Sequence, residues 1–115
     1  SVYPVTGGAA LTGPRDDRPV VEGLAAAVLG DGRIVASASW GENNFDADAS
    51  DDEVLLYLCG ATSCKEGAVI DGTKGTFYGA TRIAAKGNGG VVIYHAEPKL
   101  DGGPERTMAQ RFLCD

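Results

Sequence analysis

Apolar and polar positions along this chain alternate in short runs broken by glycine, with a period of two rather than 3.6. Ile34, Ala36, Ala38 and Trp40 interleave with Arg33, Val35, Ser37 and Ser39. Val28-Leu29 and Ile34-Val35 flank Gly30-Asp31-Gly32, whose glycines accept the positive φ of a tight turn, so a hairpin is predicted there. Leu24–Leu29 has helical propensity, but Gly23 and the turn at Gly30 leave too few residues for a stable helix, and a strand is expected. A second hairpin is predicted from Ala68–Asp71, the turn Gly72-Thr73-Lys74-Gly75 and Thr76–Tyr78. A third follows from Thr81–Ala85, the turn Lys86–Gly90 and Val91–Ala96.

One stretch departs from alternation. Val54-Leu55-Leu56-Tyr57-Leu58-Cys59 is apolar at every position, bounded by Glu53 and by a turn at Gly60, and reads as a strand buried on both faces. The tail is ambiguous. Met108 and Phe112, and Ala109 and Leu113, stand four apart as on a helix, and Pro104 suits a first helical position. The all-β context favours a last strand instead. These signals predict a mainly β, single-domain antiparallel meander, closed as a small β-barrel or folded as a β-sandwich, with a short C-terminal helix as the competing reading of the tail. Residues 1–19, with Gly7-Gly8 and Gly13-Pro14 through Pro19, read as a flexible N-terminal arm, and 20–115 as one β domain.

Composition sharpens this. At 115 residues the chain has room for one core. Its 17 glycines favour many tight turns, hence many short strands. The net charge of −6 marks an acidic protein, and its Lys and Arg residues form no basic stripe. Nucleic acid and an anionic membrane surface are therefore not expected as partners. Three cysteines leave one over from any pairing. Cys59 and Cys64, across a short turn, are the expected disulfide, with a bridge from Cys114 to either as the rival. A disulfide in so small a domain suggests a secreted, extracellular protein.

Four constellations bear on chemistry. Asp46, Asp48 and Asp52 place carboxylates in an acidic loop as candidate calcium ligands. The loop departs from the helix–loop–helix calcium pattern, however: Asp51 replaces the sharp-turn glycine and Tyr57 the bidentate glutamate. His95 and Glu97 share one strand face, and with Arg82 they are the parts of a small hydrolase or nuclease site. In the expected register His95 lies opposite Thr81, with Arg82 on the other face beside Tyr94. Trp40 and Phe45 frame Asn43 and Asn44, an aromatic-and-amide set suited to a ligand-binding ledge. Cys114 offers a thiol for a covalent homodimer. No Gly-x-Ser-x-Gly elbow or phosphate-binding loop is present. The expectation is a non-catalytic recognition protein of the effector, elicitor, lectin or inhibitor kind, binding a protein or carbohydrate partner through its loops without a cofactor. The alternatives are a hydrolase or nuclease centred on His95 and Glu97, and a structural module dimerising through Cys114.

Overall fold

The computed structural model describes residues 2, 10, 11, 20–41, 52–60, 62–100 and 103–115. Among them are seven strands: β1 (Val20–Val28), β2 (Ile34–Gly41), β3 (Glu53–Cys59), β4 (Cys64–Asp71), β5 (Thr76–Lys86), β6 (Gly89–Pro98) and β7 (Arg106–Leu113). They form two antiparallel sheets, one in the order β1-β2-β3-β4 and one in the order β5-β6-β7. The arrangement is sandwich-like. The sheets do not close into a barrel, so that half of the sequence expectation is corrected.

β3 is the strand buried on both faces. Val54 and Leu56 face the second sheet and join Val35, Tyr78, Val92 and Phe112 in the main core. Leu55, Tyr57 and Cys59 face the other way and pack with Ala36, Ala38 and Trp40, against which Leu11 also rests. A strand with apolar neighbours on both sides has no polar face to alternate, which is why its sequence runs apolar without a break. β2 beside it is read less simply. Its serines, Ser37 and Ser39, are fully buried. They stand across from Leu56 and Val54 on the side of the main core. Small side chains are needed there because β5 passes close by, with Thr81 Oγ1 3.5 Å from the Ser37 carbonyl oxygen.

The first hairpin forms as expected between β1 and β2. Gly32 has φ +90°, and the Asp31 carboxylate accepts from the Arg33 backbone N–H at 3.0 Å. The second expected hairpin does not form. Gly72–Gly75 reverses the chain, but β4 and β5 belong to different sheets. Asp71 explains the difference: its carboxylate accepts from the Thr73 N–H (3.2 Å) and Oγ1 (2.8 Å), closing a side-chain turn that leads out of the first sheet. A Gly-rich turn signals reversal, and pairing is decided by where the following strand finds its core. The third hairpin forms with a tighter turn than expected. Lys86 pairs with Gly89, so only Gly87 and Asn88 lie between the strands, and Gly87 takes φ +62°.

The tail is strand β7, paired with β6 over all eight residues, and the helical alternative is corrected. A spacing of four is even, so Met108 and Phe112 fall on one face of a strand as well as of a helix. Both pack on the main core. Of the N-terminal arm, only Val2, Ala10 and Leu11 are among the described residues.

Cys59 and Cys64 are joined in a disulfide across the β3–β4 connection, and Cys114 is free and half-buried. The bridge spans five positions. Chain entropy alone predicts that the Cys59→Ser/Cys64→Ser double variant loses about 2 kcal/mol of unfolding free energy. Urea denaturation of the two proteins measures this, and equal midpoints with equal slopes would rule out a stabilising role.

Candidate functional site

A recess of about 260 Å³ opens where β1, β5 and β6 meet. Glu22 of β1, Phe77 of β5, His95 and Glu97 of β6, and Glu105 just before β7 all line it. Alternation explains how β6 supplies two of these groups. Tyr94 and Ala96 point into the core, so His95 and Glu97 stand on the opposite face.

The floor comes from an irregularity in β5. Gly79 pairs with His95 and Arg82 with Ile93, so two residues of β5, Ala80 and Thr81, oppose one of β6. Ala80 in this bulge has φ +50°, uncommon for a residue with a Cβ. The bulge tightens the local bend and turns Thr81 into the core, where it is buried. β1 crosses at the same point. A Cβ on Gly23 would lie 2.8 Å from the Ala80 nitrogen and 2.9 Å from that of Thr81, so this crossing requires glycine.

The expected register of His95 is corrected by these details. The tighter turn and the bulge together move its partner from Thr81 to Gly79. Arg82, expected on the far face beside Tyr94, pairs with Ile93 on the same outward face as His95 but does not line the recess. The carboxylate closest to His95 is Glu105, not Glu97: Glu105 Oε1 lies 2.6 Å from Nδ1. The approach lacks hydrogen-bond alignment. Both side chains are about half exposed, at 42% and 55%, so the pair contributes little to stability.

Behind Phe77 lies a second set of charges. Lys99 Nζ is 3.1 Å from Asp52 Oδ1, with side-chain exposures of 0% and 2%, and the ammonium sits 5.1 Å from the centre of the Phe77 ring. Burial pushes the Glu22 carboxyl above its ordinary range, Asp52 adds to the shift, and Lys99 opposes it. Asp52, a candidate calcium ligand from sequence, thus has a carboxylate oxygen on an ammonium. Asp46, Asp48, Asn43, Asn44 and Phe45 lie outside the described residues. Trp40 is buried in the outer cluster of the four-stranded sheet. Among the described residues no three His, Cys, Asp or Glu side chains gather as a metal site, and no helix is long and apolar enough to cross a membrane.

A third polar cluster ties the sheets together. Asp71, ending β4, accepts hydrogen bonds from the Tyr78 hydroxyl (2.8 Å) and the Tyr94 hydroxyl (2.7 Å) of the opposite sheet. The two rings pack edge to face, with centroids 5.9 Å apart. Burial pushes the Asp71 carboxyl up, but bonds from Tyr94, Thr73 and Tyr78 outweigh it and hold the group below its ordinary value. Burial and this carboxylate push the Tyr78 hydroxyl up to about 12, against bonds from Thr73, and they also raise Tyr94.

Sequence reasoning missed Glu22, Glu105, the Lys99–Asp52 pair and the Asp71 cluster. Only Asp71 carried a usable signal, an Asp two residues before a Thr in a Gly-flanked turn. The other residues meet across strands far apart in sequence.

Comparison with known proteins finds no match: no family model, no curated protein and no solved structure resembles this chain.

Proposed function

We propose that this chain is a recognition module whose recess takes up a basic group, such as a lysine or arginine side chain of a protein partner. The observation that carries the reading is the lining: Glu22, Glu97 and Glu105 converge on a concave surface that contains no Lys or Arg among its described residues. Three carboxylates favour a cationic group over a neutral sugar, and the overall charge of −6 draws basic partners toward the surface. The disulfide fits an oxidising, extracellular setting for such a module.

The test is a titration with Nα-acetyl-lysine methylamide and with an Arg-containing tripeptide, followed by amide chemical shifts. Shifts are expected at Gly79, His95 and Glu97, weakening as salt rises. Glu97→Gln/Glu105→Gln is expected to lower affinity about tenfold. Shifts elsewhere only, or equal shifts with a neutral analogue, would sink the reading.

The 2.6 Å approach of Glu105 to His95 supports a second reading, a hydrolase in which the imidazole acts as a general base beside that carboxylate. On that reading wild type turns over an ester, peptide, glycoside or RNA substrate, and His95→Ala abolishes turnover at an almost unchanged melting temperature. Turnover that survives in His95→Ala removes it.

A further inference from the structure

The two sheets are crossed by β1 on one side, and on the other they are tied at the end of β4 by the bonds from Tyr78 and Tyr94 to Asp71. β1 crosses β5 at Gly23, whereas β4 and β7, each terminal in its sheet, leave a seam on the other side. The seam holds a cavity of about 390 Å³ whose lining includes Leu56, Ala68 and Ile70 from one sheet and Arg111 and Phe112 from the other. Leu56 and Phe112 belong to the main core, so the seam opens directly onto it.

The two strands bordering the seam differ. The β3–β4 ladder is interrupted by register shifts at two points, irregularities that blunt an edge against further pairing. β7 pairs with β6 through eight residues without a shift, so its far side presents a regular row of backbone donors and acceptors. Thr107, Ala109, Gln110 and Arg111 are exposed along it, and Leu113 is 80% exposed.

The charge of this edge selects the occupant. β7 carries Arg106 and Arg111 and no acidic residue. A neighbouring cavity of about 490 Å³ has Lys86 and Arg111 as its charged lining residues. Arg106 shares its face with Ala96 and Met108, whereas Arg111 stands on the outward face. A second copy of β7 paired here brings another Arg111 and no carboxylate to that face, with Lys86 nearby, and like charges across a ladder are destabilising. A strand bearing Asp or Glu has the opposite charge and no such penalty.

The geometry points to β7 as the docking edge for an extended strand of a partner protein in which acidic and apolar residues alternate. The added strand extends the three-stranded sheet to four and lays its apolar side chains over Leu56, Ile70 and Phe112 in the seam. Its carboxylates on the outward face meet Arg111. This surface is distinct from the carboxylate-lined recess and calls for the opposite charge.

The experiment uses the peptide acetyl-(Val-Glu)4-amide, with acetyl-(Val-Lys)4-amide as control, read by amide chemical shifts and hydrogen exchange on the full chain. The acidic peptide is expected to shift the amides of residues 106–113 and to slow exchange on β7 at least threefold, and the basic peptide to do neither. Arg111→Glu, at an exposed position on the outward face, is expected to lower affinity for the acidic peptide about tenfold. Three results overturn the inference: no β7 shift at millimolar peptide, shifts without slowed exchange (surface attraction alone), or concentration-dependent self-association through β7 without peptide.

Discussion

Lys99→Met is expected to cost about 3–5 kcal/mol of unfolding free energy, the largest effect of any single change considered for this protein. The ammonium and the Asp52 carboxylate lie 3.1 Å apart with essentially no solvent exposure. A carboxylate held away from water loses the ammonium beside it in this variant, which costs more than the pair itself contributed. Glu22 makes this worse, because burial and Asp52 already push its carboxyl up and Lys99 is the group that restrains it. Two consequences separate a charge effect from lost packing. The variant should regain stability on acidification: Glu22 has a raised folded-state value, so its unfavourable contribution is absent below the ordinary carboxylate range and grows as pH rises through that value. The double change Lys99→Met/Asp52→Leu should recover most of the loss, since an apolar pair of similar volume replaces two buried charges. Denaturant titrations of the variants at pH 7 and near pH 4.5 measure both. A Lys99→Met protein within 1 kcal/mol of wild type, or one that weakens further in acid, contradicts the account.

The second large effect is at Asp71. Asp71→Ala is expected to cost about 3 kcal/mol, because it leaves the hydroxyls of two buried tyrosines without their acceptor. Asp71→Asn should cost about half as much, since its carbonyl oxygen still accepts one of the two. The sign of the pH dependence follows from the directions of the shifts. The Asp71 carboxyl is depressed in the folded state, so its contribution is complete above the ordinary carboxylate range and is lost as pH falls below it. The tyrosines are raised, so their contribution is complete below pH ~10 and is lost as pH rises through the Tyr78 value of about 12. Wild type should therefore weaken at both extremes, and Asp71→Ala should show shallower losses at each. Parallel pH profiles for the two proteins would show that the carboxylate does not couple the sheets.

Both predictions concern residues whose importance the sequence does not advertise. Lys99 follows Pro98 in what reads as a polar connection, yet its side chain is fully buried. Asp71 reads as the polar end of an apolar strand, yet it holds two tyrosines of the opposite sheet. The recess is legible in part. His95 and Glu97 share a face because strand side chains alternate, which is local information. Their distance from Arg82 and nearness to Glu105 depend on a one-residue bulge at Ala80–Thr81 and on the path into β7, and neither leaves a mark in the pattern of apolar residues.

The sequence by itself determined the secondary structure of most of the domain. Glycine at the turns, alternation in β2 and β6, and an unbroken apolar run in β3 follow from steric limits on φ and from which faces must leave water, and both act within a few residues. It also marked the Cys59–Cys64 pair, since proximity along the chain makes that bridge easy to close. Tertiary structure alone decided which strands share a sheet, whether the sheets close, and which charges meet. A reversal at Gly72–Gly75 serves a hairpin or a passage between sheets equally well, and an even spacing in the tail suits strand and helix alike. Those choices are made by long-range burial, when Met108 and Phe112 find the core and when Asp71 reaches Tyr78 and Tyr94.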